Sequence, residues 1–333
     1  MAMKTNTMTQ QLSFGQRAKM FIQKSPARMA FIIAVVLYIA TIAVSPSSLN
    51  ASAIGSIIML TLLLSFASAG QTIVLIGGGM DFGVGAVMSS AAILTTTIMN
   101  SQNGHFFQLL VTALAMGALV GMINGLCTVK IGLPPLIVTM AISNVVTRMQ
   151  YVLTQGSPMG YASPNFIKSV TSRLFGLQFL PSIVLYALII FPLVFFLLNR
   201  SRFGKQVYLV GNNPVAARLN GINVAKVQVL TYVFSGMFAA FAGMLGAAYM
   251  NAARCQIFDE YAYNSLIAVI IGGTLFSGGV GSYTGSIAGS LVLVVLSNLL
   301  TAIGFTQPQR NLAMGLIMIA LLILYNREKN VRQ

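Results

Sequence analysis

Charge is scarce in this chain. Of its 333 residues only 7% are Asp, Glu, Lys or Arg, whereas a soluble domain carries about one quarter. Acids are scarcest, 4 in all, and Asp81 is the only one before Asp259. Tryptophan is absent, His105 stands alone, and the 2 cysteines, Cys127 and Cys255, belong to no C-x-x-C pair. These absences exclude a disulfide framework and a metal cluster. They also leave a membrane-embedded enzyme without a nucleophile and base. Gly204-Lys205-Gln206 departs from Gly-x-x-x-x-Gly-Lys-Ser/Thr, so no P-loop is present to bind ATP. The net charge of +15 has no soluble basic domain behind it, which argues against nucleic acid.

Apolar residues fill the space that charge leaves. They make up 56% of the chain, and mean hydropathy is +0.84. Their runs are long enough for helices that cross a bilayer, and the short alternating strands of a β-barrel are missing. We therefore expect an all-α polytopic membrane protein of about ten spans. The expected spans are 29–44, 53–76, 86–99, 107–127, 134–153, 181–198, 227–250, 262–275, 286–303 and 312–325. The eighth is short for a crossing. The first follows nearly thirty polar and basic residues and no small-residue cleavage site, so it reads as a span and not a removed signal. Residues 1–28 form a basic cytoplasmic N-terminal tail, 29–325 a transmembrane domain, and 326–333 a cytoplasmic C-terminal tail. With this count the basic loop 199–226 also faces the cytoplasm, and the strongest basic clusters share one side. Ala115, Gly117, Ala118, Gly121 and Gly125 in the fourth span, and Gly236, Gly243 and Gly246 in the seventh, favour close helix contact. Leu75-Ile76-Gly77-Gly78 and Ile270-Ile271-Gly272-Gly273 form a weak internal echo, at an offset that does not fit an inverted repeat.

Several residues are candidates for function. Asp81 sits within Gly77-Gly78-Gly79-Met80-Asp81-Phe82-Gly83-Val84-Gly85. It reads either as part of a broken helix near a transport path or as a cap at a cytoplasmic helix end. Arg148, in the outer half of the fifth span, either snorkels outward or pairs with an acid or polar substrate. Asn144 shares its helical face and Gln150 does not. Asn124, Thr139 and Ser143 are uncharged polar groups that suit either a sugar-like ligand or interhelical hydrogen bonds. Asp259 and Glu260, beside Arg254, are adjacent and so cannot flank one bond as a glycosidase pair does. They read as a solvated outer loop with one salt bridge, or as a docking point for a soluble partner. In the 199–226 loop, Asn212 or Asn213 can cap a short helix, Pro214 suits its first position and Gly221 its stop.

Four segments, in order, resemble one family. They are Gly78-Gly79-Met80-Asp81-Phe82-Gly83-Val84-Gly85, then Pro135-Leu136-Ile137-Val138-Thr139, then Arg202-Phe203-Gly204 through Asn213-Pro214-Val215-Ala216-Ala217-Arg218-Leu219-Asn220-Gly221-Ile222, and Ile271-Gly272-Gly273-Thr274 with Gly278-Gly279-Val280-Gly281. The chain resembles, from the second span to the tenth, the ribose-type permeases of bacterial binding-protein-dependent ABC importers, which also carry other monosaccharides and autoinducer-2. The resemblance implies a permease fold in the bacterial inner membrane and a second permease subunit, identical or different. It also implies cytoplasmic ABC ATPase subunits that bind ATP and Mg, no cofactor on this chain, and a periplasmic or extracellular solute-binding protein. The segment 213–222, with Asn213, Pro214, Ala217, Arg218 and Gly221, is implied to be the coupling helix. The family's usual Ser is Gly83 here, and its Glu-Leu-Asp falls on Ala262-Tyr263-Asn264. These departures put the usual sugar specificity in doubt and make Asn264 a pathway candidate beside Asp81, Asn124, Thr139, Asn144 and Arg148.

The expected function is a permease subunit importing a small polar solute such as a monosaccharide, driven by ATP hydrolysed elsewhere. The rivals are an ion-coupled secondary transporter, an embedded enzyme and half of an ABC exporter. The secondary transporter needs an acid deep in the membrane, and none is expected there.

Overall fold

The computed structural model describes residues 26–329, and side chains up to residue 320. Most of the basic N-terminal tail and the last residues of the C-terminal tail lie outside them. The described chain is helical, in the order α1 (Pro26–Val44), α2 (Ala51–Ile76), α3 (Val84–Met99), α4 (Phe106–Lys130), α5 (Pro135–Thr154), α6 (Pro164–Thr171), α7 (Ile183–Asn199), α8 (Arg202–Asn212), α9 (Pro214–Leu219), α10 (Val224–Met250), α11 (Tyr261–Ile271), α12 (Tyr283–Ala302) and α13 (Gln307–Lys329). No strand forms among the described residues.

By length and composition six of these helices can cross a membrane: α1, α2, α4, α5, α10 and α12. A seventh is reached if α7 and α8, bent by 60° at Arg200, count as one span. Among the described residues, length and composition thus support six or seven crossings and not the expected ten. Helices α3 and α11 are apolar but only 16 and 11 residues long, and each lies next to a glycine-rich break. Two helices were not expected at all. Helix α6 lies between the expected spans 134–153 and 181–198, with Ser163 accepting from the Phe166 amide and Phe166 and Val170 turned inward. Helix α8 opens the basic loop, with Ser201 accepting from the Gly204 amide at 2.9 Å. Gly204, Val207 and Val210 form its buried stripe and Arg202 and Lys205 its exposed face.

Helices α2 and α10 are central and mostly buried, whereas α1 exposes Ile32, Val35, Val36 and Ile39. Exposed apolar side chains on a spanning helix face lipid, so this distribution separates a packed centre from a greasy rim. The centre is held by backbone approach, because lipid removes the hydrophobic incentive for helices to associate. Gly117, Gly121 and Gly125 of α4 lie four residues apart and meet Gly236, Tyr232 and Val229 of α10. A Cβ at Gly236 would stand 1.9 Å from the Gly117 carbonyl oxygen, and one at Gly117 would stand 2.2 Å from that of Gly236. Gly243 and Gly246 likewise admit Met88 of α3 and the Phe258 ring. Ala115 is exposed and lies off the seam.

Gly236→Val should therefore lose most monodisperse protein in detergent. Overpacking costs about 1–3 kcal/mol when side chains can adjust, and here the obstacle is backbone. Ala115→Val should behave as wild type in size-exclusion chromatography. A well-folded Gly236→Val protein would contradict the packing described.

The two echoing segments end their helices alike. Gly77 donates to the Ile73 carbonyl and Gly272 to that of Ala268. Gly78 and Gly273 follow with φ of 82° and 89°. Left-handed φ is cheap only for glycine, which explains the doublets. The amides of Gly79 and Thr274 then return to Val74 and Val269 at the same offset. The end of α2 is joined to the loop after α11 through Gly279, whose amide donates to Ile76 at 2.8 Å.

Candidate functional site: a buried carboxylate at a broken helix

Asp81 lies in the break between α2 and α3, only 2% exposed. Its Oδ2 accepts from the Ser235 hydroxyl of α10 at 2.7 Å, and its Oδ1 from the Gly83 amide at 2.8 Å and the Asn124 amide of α4 at 3.4 Å. Beside it, the Phe82 amide donates to Thr139 Oγ1 of α5 at 3.2 Å. The break thus touches α4, α5 and α10 at one level. Ser235 follows Val224 by 11 residues, which places this junction about 17 Å along α10 from its basic end. Asp81 thus lies deep among the helices, and through the Gly83 amide it also bonds the start of α3. Its lone pairs are satisfied, as burial of a charged or polar group requires.

Of the six pathway candidates, the structure brings together Asp81, Asn124 and Thr139. Asn144 and Arg148 lie exposed on the outer face of α5. Asn144 donates to Met140 of its own helix at 3.0 Å, and the Arg148 guanidinium stands 6.0 Å from the Tyr151 ring centre. Asn264 lines a separate cavity. The inward polar residue of α5 is Gln150, which donates to the Ala86 carbonyl and Ser90 hydroxyl of α3, each at 2.9 Å. Its Oε1 accepts from the Gln256 amide at 3.2 Å. Helical spacing separates Gln150 from the Asn144 face, but only the packing against α3 shows which face is buried.

Ser235, Tyr232 and Gln71 are among the buried polar groups that sequence reasoning passed over. Each sits in an apolar run with no charge or glycine cluster to mark it. Gln71 is fully buried on α2, and neither amide atom has a hydrogen-bond partner. On the basic side of the junction a cavity of about 320 Å³ is lined by Gly77, Gly79, Thr128, Gln228, Thr231 and Tyr232.

Gly83 also acquires a reason. A Cβ there would stand 2.9 Å from Asp81 Oδ1 and 3.0 Å from Asn124 Nδ2. The missing side chain lets those two groups meet.

At the basic end, Asn213 caps α9 by accepting from the Val215 and Ala216 amides at 3.0 and 2.9 Å. Pro214 opens the helix, and Gly221 ends the segment with φ of 77°. Ala217 is buried, while Val215 and Leu219 are 68% and 85% exposed on the other side, with Arg218 between them. Exposed apolar residues at i and i+4 thus stand beside a cation on one face of α9, which charge alone had not revealed. The same segment rests on the break. Gly211 at the end of α8 packs so closely that a Cβ would stand 1.8 Å from the Ile76 carbonyl oxygen. The Tyr208 hydroxyl donates to the Gly281 carbonyl at 2.9 Å.

Far from this end, Asp259 accepts from Gln256 at 2.9 Å, and Glu260 from Gln307 and Asn311. These are amide contacts and not the salt bridge to Arg254 that adjacency suggested. Burial raises the Asp259 carboxyl above its ordinary range, and the Gln256 amide pulls it back.

A helical membrane protein with buried polar groups at a broken helix, and a small helix projecting from its basic end, has the build of a transport subunit. The chain belongs to the family described as branched-chain amino acid transport system / permease component, which matches residues 53–323. It is 31% identical over 305 residues to the galactose/methyl galactoside import permease of Haemophilus influenzae, covering 87% of this chain and 90% of that protein. It is 26% identical over 332 residues to the ribose import permease of Escherichia coli K12, covering 97% and 100%. The ribose import permease of Bacillus subtilis is 29% identical over 266 residues, covering 78% and 80%. No solved structure matches the chain. It is a multi-pass permease, a transport component and not an enzyme.

Proposed function

We propose that this chain is the transmembrane subunit of an ABC importer that carries a monosaccharide into the cell through the cytoplasmic membrane. Separate ATPase subunits would bind ATP and Mg on the cytoplasmic side, a soluble binding protein would deliver the sugar outside, and a second permease copy would complete the path. The named substrates of the relatives, galactosides and ribose, support the sugar. The observation that carries the reading is the α8–α9 segment. It offers Val215, Arg218 and Leu219 to a partner while Gly211 and Tyr208 rest on the ends of the two glycine breaks. A push on α9 is thereby delivered to the break that holds Asp81, Asn124 and Thr139.

Two measurements test this. Proteoliposomes holding the chain with its ATPase and binding protein should take up labelled D-ribose or D-galactose only with ATP inside, regardless of ionophores. The buried Asp81 favours the ion-coupled alternative, which predicts uptake without ATPase that collapses with the ion gradient. Arg218→Glu combined with Gly221→Pro should release the ATPase while the protein stays inserted, because proline cannot adopt the φ of 77° found there. Normal ATPase co-purification by this variant would remove the coupling assignment.

A further inference from the structure

The end of the molecule opposite the basic loop holds a second cavity that the Asp81 junction does not use. Its volume is about 360 Å³, in the range of small-molecule sites. It exists because α11 is too short. With 11 residues α11 rises about 17 Å, whereas its neighbour α12 rises about 30 Å with 20 residues. Residues 251–260 and the cavity occupy the depth that α11 leaves.

The two walls differ in chemistry. One is apolar, built from Leu60, Leu64, Leu293, Val294 and Met314. The other carries a chain of fixed polar groups. Gln307 Nε2 donates to both oxygens of Glu260, at 2.9 and 2.8 Å, while Gln307 Oε1 accepts from Arg310. Arg310 also donates to Thr301 Oγ1, and its Nε is buried without a partner. Asn311 donates to Glu260 at 3.0 Å. A carboxylate and a guanidinium share the cavity, held apart by an amide that bonds each. Asn264 and Ser297 line the space with them, and Asn298 does so after donating its own amide to Val294. Glu260, Gln307 and Asn311 stay exposed beside the apolar wall, so their polar atoms face water or a polar ligand. Acceptors and donors along one wall fit the hydroxyl edge of a sugar, and the apolar wall fits its C–H face.

We infer that this recess between α2, α11, α12 and α13 is an outer binding site for a neutral polyhydroxylated solute, occupied before the solute reaches the Asp81 junction. The inference rests on the sugar reading above. It makes Glu260, Asn264, Gln307 and Arg310 determinants of specificity.

The test uses the full transporter in proteoliposomes with Cys127→Ser and Cys255→Ser as background. Ser297→Cys or Asn298→Cys should react with a membrane-impermeant maleimide from the binding-protein side. D-ribose or D-galactose at millimolar concentration, whichever the wild type imports, should slow that reaction at least about fivefold, and leucine should not. Asn264→Leu should abolish the protection while labelling still proceeds. Labelling at one rate with and without the imported sugar, at both positions, would overturn the site. Protection by leucine instead would overturn the sugar as its ligand. Should the wild type take up neither these sugars nor any other monosaccharide tested, the function proposed above fails, and that result is read from uptake before any labelling is done.

Discussion

Asp81→Ala should reduce uptake by the reconstituted transporter to below about a tenth of wild type and lower the thermal midpoint of the purified protein. The substitution strands the Ser235 hydroxyl and the Gly83 and Asn124 amides, which all donate to that carboxylate. A buried donor left without an acceptor costs about 1–3 kcal/mol, so several together are a large part of a protein's stability. Asp81→Asn should separate the contributions. Its oxygen can still receive Gly83, and the Ser235 hydroxyl can turn to accept from the new amide, so folded yield should stay within about twofold of wild type. The difference in uptake between the Asn variant and wild type then reports the carboxylate itself. Full uptake by Asp81→Ala would show that the junction is neither structural nor part of the path.

Gly211→Val has the second large expected effect, and a different one. Its side chain would begin 1.8 Å from the Ile76 carbonyl and 2.6 Å from the Gly279 amide, where those two groups bond each other. Backbone cannot rotate aside as a side chain does, so α8 must lift from the joint. The protein should insert and bind its ATPase through the unaltered α9 face, yet uptake per ATP hydrolysed should fall by about tenfold or more. Gly221→Ala is the control. Its φ of 77° strains an alanine by about 1–2 kcal/mol, but nothing lies within 4 Å of a Cβ there. Transport per ATP should remain near wild type. Equal ratios in all three proteins would mean that the joint carries no motion.

The legible parts of this molecule are those where lipid restricts the choices. Long apolar runs gave the helical class and most helix positions, because a backbone in hydrocarbon has to satisfy itself. Gly117, Gly121 and Gly125 were recognisable as a seam, since small residues four apart have few other uses in a span. Asn213, Pro214 and Gly221 foretold α9 through local chemistry alone. Depth was not legible. Asp81 follows three glycines, as a helix-end residue does, and only the packing of α10 against the break shows Ser235 reaching it. Nor was the partition of α5 between Gln150 inside and Asn144 and Arg148 outside visible without knowing which face meets α3. Leu219 and Val215 were hidden for another reason. In a chain this apolar, a leucine carries no signal until its exposure is known.

The shortness of α11 also constrains how the protein is made. A helix of 11 residues cannot cover a hydrocarbon core of about 30 Å, and the loop before it carries Arg254, Asp259 and Glu260. Such a segment gains too little from lipid to partition from the insertion machinery alone. It is expected to enter together with α12, as one half of a hairpin whose other half is long enough to stay. The amide of Gly279 can then find Ile76, which was synthesised some two hundred residues earlier. Assembly of the outer recess is thus a late event in biosynthesis, and a ribosome stalled before α12 should leave residues 261–271 open to aqueous labelling.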